Sequence, residues 1–555
     1  MKKQGFLYGS AVLMVSALLV KVLGALFKIP LANMLGGRGM GYFSAAYSIF
    51  MPIYAISVTG LPAAAAKCTA EAMERDGERG ALAVKSVGLR LFGLVGLVSA
   101  LVIMFASYPF CKYAVGDIYA FPAAAVIAPS VLAGCLVSVY RGYYEGLRNM
   151  YPTAVSQVIE GAVKLFFGLF LCWGTLYLAQ NKPTAFLRLI GCENRNIDPA
   201  AAAVPYSAAA AVAGITLSTF GGLFWIMAHD RRHIPKNSRK GLDANRKQRA
   251  EIRLRLVKIA LPAAVGALVI NLTSLIDLVT VMGSLKNMTE RSPEIFSELT
   301  RAGISLADVP NFIYGSFTGL AITLFNLVPA LTNMFGKSIL PAAAAAKAAG
   351  DRRRLGECSR NALLAAALVS FPAGAGLTAM ARPLLQLLFG SKDLEIAVCS
   401  DSMAVLGLAV PFVCLSQTAF SLLQAADRAD IPVKIMGLSA AVKLILNLLL
   451  TPVKGLGVTG AAIATLACYM LICGLSAEAL KKHGGFDSKG IIPDFVKIGA
   501  GSLFCGAGAV MMNASTGTGE ICVILSCGFG AAVYFGIVII TGAFSRNTVK
   551  MLLKD

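Results

Sequence analysis

Apolar stretches of about twenty residues recur along the whole chain, and that recurrence constrains the fold more than any other feature. A bilayer core is about 30 Å thick and asks for about twenty consecutive apolar residues from a helix that crosses it. Fourteen such segments can be read, from Gly5–Ala32 at the start to Cys522–Phe544 near the end. No stretch between them is long enough for a separate soluble catalytic domain. Of the 555 residues 57% are hydrophobic and 14% are charged, with a mean hydropathy of +0.71. A soluble domain carries about a quarter charged residues. An all-α integral membrane protein is therefore expected.

The formal net charge of +21 would suggest nucleic acid in a soluble protein. Here Lys and Arg gather in alternate loops: Lys2 and Lys3, the loop Lys67–Arg90, Arg141 and Arg148, the loop Arg231–Lys258, and Lys347–Arg360. The positive-inside rule places those loops, and both termini, in the cytoplasm. The basic charge is then topology, and no nucleic-acid partner is expected. Gly5 to Ile29 resembles a signal peptide but is too long for an h-region and carries Lys21 and Lys28, so it reads as the first helix. The thirteen cysteines form no CxxC pair, which points to neither a disulfide framework nor a zinc site.

An internal repeat gives the organisation. Leu61-Pro-Ala-Ala-Ala-Ala-Lys67 returns as Leu340-Pro-Ala-Ala-Ala-Ala-Ala-Lys347, and Pro152 with Ala162-Val-Lys-Leu165 returns as Pro432 with Ala441-Val-Lys-Leu444. Two matches at one offset argue for duplication of a six-helix unit. Because six is even, the repeats are parallel, the arrangement of transporters that rock two bundles about a central site. The expected domains are a bundle over 1–230, a basic cytoplasmic linker over 231–253, a second bundle over 254–482, and two extra helices over 483–555.

Ionisable groups within the apolar segments are the candidate site residues, since each costs at least about 2.5–3.5 kcal/mol at a helix centre. Lys21 and Lys28 lie two turns apart on one face, about 10 Å. Lys164 and Lys443 take matching places in the two repeats. Together the four lysines suggest a basic cavity for a phosphate-bearing substrate, because a lysine binds phosphate as a point charge and can release it. Blander readings stand beside this one. Lys28 can snorkel to an interface, and Glu160 can neutralise Lys164 at i,i+4 spacing. Asp277 is open to two roles, ligand of a coupling ion or partner of Lys443. Asn271, Asn326 and Asn447 add polar groups at depth.

Other motifs fail. The glycines of Gly36–Gly41 have no βαβ unit around them, and Gly336-Lys-Ser338 lacks the upstream glycine of a P-loop. His229, His233 and His483 are scattered over loops. No ATPase motor, metal site, cofactor or catalytic residue is expected, and a monomer suffices.

Lys21 to Pro30, the turn Leu35 to Tyr42, Gly60 to Lys67, and above all Tyr140-Arg-Gly-Tyr-Tyr-Glu-Gly-Leu-Arg-Asn-Met-Tyr-Pro152 followed by Ser156-Gln-Val-Ile-Glu160 resemble stage V sporulation protein B-like exporters. Leu327 to Thr332 adds to the likeness. That family is part of the multidrug/oligosaccharidyl-lipid/polysaccharide exporter superfamily, which includes lipid II flippases. The resemblance implies a V-shaped pair of bundles, a basic cavity, and transfer of polyprenyl-pyrophosphate-linked sugars to the outer leaflet of a bacterial cell membrane. It also implies that the two extra helices form a groove for the lipid tail. Flippases of this kind carry basic residues on the first helix, where Lys21 and Lys28 fall. Sodium-binding members use carboxylates on the seventh and eleventh helices, whereas the eleventh here offers Lys443 and Asn447. A cation-coupled multidrug antiporter of the same superfamily is the nearest alternative. A membrane glycosyltransferase or polymerase, using the carboxylates of Lys286–Asp308, is the more distant one.

Overall fold

The computed structural model describes residues 6–191, 198–233, 246–390, 392–483, 490–517 and 519–542. The described residues are nearly all helical, joined by short turns, with no strand among them. They carry twelve helical stretches long and apolar enough to cross a membrane. The first runs from Val12 to Val115, 104 residues, several times the length of one crossing. It is divided where the backbone turns non-helical: at Gly36 (φ 61°) within α1 (Phe6–Val58), at 59–60, and at Gly77 (φ 65°) within α2 (Leu61–Pro109). Large apolar side chains stand outward, among them Phe105 at 76% exposure and Ile540 at 85%. In water such a surface would aggregate; in lipid it is simply solvated.

Two compact units emerge, Met1–Gly283 and Ser284–Asp555. The first holds α1, α2, α3 (Phe121–Val126), α4 (Pro129–Gly146), α5 (Tyr151–Asn181), α6 (Pro183–Leu189), α7 (Pro199–His233) and most of α8 (Arg246–Arg291). Backbones touch where side chains are small, the usual way helices associate in lipid. A Cβ on Gly142 or Gly146 of α4 would stand 2.4 Å from the Pro62 carbonyl or 2.5 Å from that of Ala66. The repeated Leu-Pro-Ala-Ala-Ala-Ala motif is thus the surface on which α4 lies. Between α5 and α7, a Cβ on Gly214 would fall 2.3 Å from the Gly168 Cα.

The second unit comprises α9 (Ser297–Arg301), α10 (Val309–Ser316), α11 (Ile322–Ala348), α12 (Arg352–Ala379), α13 (Ala381–Phe389), α14 (Asp393–Ala425), α15 (Asp430–Leu450), α16 (Val458–His483), α17 (Ile492–Thr516) and α18 (Glu520–Ile540). One apolar cluster, running through Ala343, Ala362, Leu422, Leu480, Ile498 and Tyr534, joins α11, α12, α14, α16, α17 and α18. The Tyr534 hydroxyl donates to the Leu368 carbonyl at 2.9 Å and ties α18 to α12.

The duplication leaves a conformational mark. Among the described residues Arg148 (φ 58°) and Asp427 (φ 60°) are the two non-glycine residues with left-handed backbone. Each closes a helical hairpin, α4 to α5 and α14 to α15. In the first, Arg148 N–H donates to Glu145 and Asn149 N–H to Tyr144; in the second, Asp427 N–H donates to Gln424 and Arg428 N–H to Leu423. The same backbone bonds recur at the same place in each repeat, and Lys164 and Lys443 follow their turns at equal distance along α5 and α15.

Two expectations need correcting. Lys67–Arg90 is not a loop but part of α2, interrupted at Gly77. Arg141 lies within α4, not in a loop, because Gly142 and Gly146 hold that end of the helix against α2. The compact units meet inside α8, and residues 234–245 of the expected linker lie outside the described residues.

Candidate functional site

The tight α4–α5 turn, followed by Pro152 near the start of α5, folds α5 back along α4. Thr153, Ser156, Glu160 and Lys164 then form one stripe on α5, at helical spacings of three and four. Arg141 of α4 reaches across to that stripe. Its Nε donates to Ser156 Oγ at 2.9 Å, and a terminal nitrogen donates to Glu160 Oε2 at 2.8 Å. The pair is partly buried, with side-chain exposures of 15% and 27%.

Glu160 therefore does not neutralise Lys164, as its i,i+4 spacing had suggested. Lys164 donates to the Tyr47 hydroxyl at 3.3 Å, and its ammonium sits 4.9 Å from the Phe27 ring centre and 5.9 Å from that of Tyr47. Ring faces attract a cation through their quadrupole, so Lys164 is steadied without a carboxylate. Lys28, half-buried on α1, lies within electrostatic range of Lys164. Lys21 is half-buried two turns earlier on the same helix. No carboxylate among the described residues pairs with Lys28 or Lys164.

An aromatic ladder backs this cluster. Phe43, Tyr47, Phe50 and Tyr54 follow one face of α1 past Gly36, neighbouring ring centres 4.9, 6.0 and 4.9 Å apart, and Phe27 packs on Phe43 at 6.3 Å.

The remaining candidates lie apart from these. Asp277 is half-buried on α8 in the first unit. Lys443 and Asn447 are buried on α15 in the second, one turn from each other. Asn271 donates to its own helix at Ala267, and Asn326 is exposed. Sequence reasoning missed a second charged centre altogether. Lys85 of α2 donates to both carboxylate oxygens of Asp230 on α7, at 2.8 and 3.0 Å, and the Tyr144 hydroxyl donates to the same carboxylate at 3.1 Å. The two charges are 145 residues apart, and no local pattern links them. Arg141 had a signal, since its neighbours match the most specific motif of the chain.

A cavity of about 470 Å³ lies between α2 and the start of α8. Its ionisable lining is balanced, with Arg75, Arg79 and Arg255 against Glu71, Asp76 and Glu251, and Arg255 already holds Glu71 at 2.7 Å. It offers no net charge to an anion, unlike the lysine cluster. Among the described residues no group of three or more His, Cys, Asp or Glu is placed to hold a metal ion.

Comparison with known proteins gives a consistent picture. The model of the polysaccharide biosynthesis protein family matches residues 6–347, and that of the lipid II flippase MurJ matches residues 303–529. Stage V sporulation protein B of Bacillus subtilis (strain 168) is 24% identical over 490 residues, 87% of this chain and 85% of the relative. Among solved structures, lipid II flippase MurJ in an inward closed conformation superposes with a TM-score of 0.63 at 15% identity, covering 98% of this chain and all of that one. An inward-facing multidrug resistance MATE family transporter of the MOP superfamily gives 0.61 at 12% identity, covering 84% and 99%. The fold is that of this superfamily.

Proposed function

Because this chain belongs to the polysaccharide biosynthesis protein family, we propose that it is a flippase for polyprenyl-pyrophosphate-linked oligosaccharide, with the peptidoglycan precursor lipid II as its substrate. One observation carries the reading: Lys28 and Lys164 are half-buried within the first unit, close enough to repel each other, and neither is in an ion pair with a carboxylate among the described residues. Such an arrangement is unfavourable at rest and becomes favourable when an anion enters. Pyrophosphate supplies the charge, and ammonium groups give it up again more readily than an arginine fork would. A cationic drug would meet repulsion at the same place.

In this reading the long first stretch crosses three times, giving fourteen crossings, and the functional halves follow the duplication, 1–230 and 254–482, joined by the linker 231–253. Residues 483–555 carry the two extra helices, which line the lipid tail. Lys21, Lys28 and Lys164 receive the pyrophosphate. Lys443, with Asn447 one turn away on α15, supplies a built-in ammonium in place of a coupling cation, and Asp277 on α8 of the first unit is a separate candidate ion ligand. The protein works as a monomer in the bacterial plasma membrane, with both termini cytoplasmic and no cofactor, and moves its substrate by alternating access.

The test is rescue of a bacterium depleted of its own lipid II flippase, scored by growth and by lipid II in the outer leaflet. Rescue is expected. Failure despite good membrane expression, together with efflux of a cationic dye, would favour the multidrug antiporter that the MATE-like fold also permits.

A further inference from the structure

Glu160 has two cations within reach and holds one. Its carboxylate is on Arg141 at 2.8 Å, while Lys164 stands one turn further along the same face of α5. Glu followed by Lys at i,i+4 is the favourable order for an ion pair on a helix, so a side-chain rotation suffices to bring them together. We propose that Glu160 is a mobile counter-anion that alternates between Arg141 and Lys164, and in doing so hands the transported pyrophosphate from one cation to the other. This rests on the flippase reading and names a positioning residue within its site.

Three features of the site support the exchange. First, the Arg141 fork is only partly filled by charge: one terminal nitrogen meets the carboxylate, while Nε meets the neutral Ser156 hydroxyl. A guanidinium fork prefers an anion that presents two oxygens side by side, as a phosphate does. Second, Lys164 is held by Tyr47 and by ring faces, partners weaker than a carboxylate, so an arriving anion displaces little. Third, the neighbouring wall is a glycine. A Cβ on Gly222 of α7 would stand 3.3 Å from the Ser156 carbonyl and 3.6 Å from Glu160 Cβ and Oε2, so it is the missing side chain that leaves the carboxylate space to turn.

The consequence is a sequence of single exchanges. With Glu160 on Arg141, Lys164 is open to phosphate; with Glu160 on Lys164, the Arg141 fork is released, Glu145 one turn along α4 being the carboxylate that remains near it. At no stage do both cations grip the substrate together, which would trap it.

The test uses the purified full-length protein, with farnesyl pyrophosphate as the binding probe and a fluorescent polyprenyl pyrophosphate in proteoliposomes to measure flipping. Glu160→Gln keeps the shape and removes the charge. Binding should tighten about tenfold, the worth of one charge-assisted hydrogen bond, while flipping slows by a similar factor. Glu160→Asp should bring binding back toward the wild-type value. Affinity and rate that fall together, or an unchanged affinity, would overturn the exchange. Should Glu160→Gln not fold, Arg141→Gln/Glu160→Gln removes both charges at once. It should bind the probe as the wild type does, yet flip about tenfold more slowly; a wild-type rate would sink the idea. If the wild type binds no farnesyl pyrophosphate, the flippase reading falls and this inference with it. If it binds, and Lys164→Ala weakens binding while Glu160→Gln leaves it unchanged, only the exchange is lost.

Discussion

The Lys85 ammonium and the Asp230 carboxylate meet at 2.8 Å between α2 and α7, both buried, under the ring of Tyr143 at 4.7 Å and with the Tyr144 hydroxyl as a third partner. Breaking such a pair from one side leaves a buried charge without its counter-ion, which costs about 3–5 kcal/mol. Lys85→Met or Asp230→Asn should therefore lower the thermal midpoint of the purified protein sharply. Lys85→Met/Asp230→Leu, which removes both charges, should recover most of the loss. A double variant no more stable than the singles would show that the ion pair is not the source of the effect.

The lysine cluster predicts a different signature, loss of transport without loss of folding. Lys28→Ala and Lys164→Ala remove repulsion between neighbouring ammonium groups, so neither should lower the thermal midpoint. Each should reduce flipping about tenfold, the worth of one charge-assisted contact with phosphate. Membrane expression and proteoliposome rates, measured side by side, separate the two effects.

Close backbone packing makes a steric prediction. Gly214 faces the Gly168 Cα with no room for a Cβ. Gly214→Val must push α5 from α7 and should cost about 1–3 kcal/mol by overpacking, read as a lower unfolding midpoint. Gly174, which has open space around it, is the control: Gly174→Val should change the midpoint far less.

Ion dependence can be addressed at Lys443. Its buried ammonium lies one turn from Asn447 on α15. If that ammonium takes the place of a bound cation, wild-type flipping will be the same in sodium and in N-methylglucamine. Lys443→Ala would then acquire a sodium requirement. Sodium dependence in the wild type itself would refute the substitution.

How legible this was in the sequence depends on the kind of contact. Hydropathy placed the apolar segments, because a bilayer imposes length and polarity on each helix separately. The repeat was equally legible, since its motif marks where α4 lies on α2 and its lysines keep register with a shared turn. Charge pairing was not. Glu160 and Lys164 have ideal local spacing, yet Glu160 turns to Arg141, because the α4–α5 hairpin brings a guanidinium closer than the next turn of its own helix. Lys85 and Asp230 show the same limit over a longer range. Loop assignments from charge density failed at Lys67–Arg90 and at Arg141 for a related reason: a helix can run on, charged, past the apolar segment that revealed it.

The paired left-handed residues, Arg148 and Asp427, carry one more implication. Each turn fixes where its following helix begins, and the lysine further along inherits its bearing from that origin. Inserting or deleting a single residue between turn and lysine would swing the ammonium round by about 100°. Natural variants should therefore exchange side chains freely along these two segments while keeping their lengths fixed, so that the count of residues, more than their chemistry, is what inheritance preserves there.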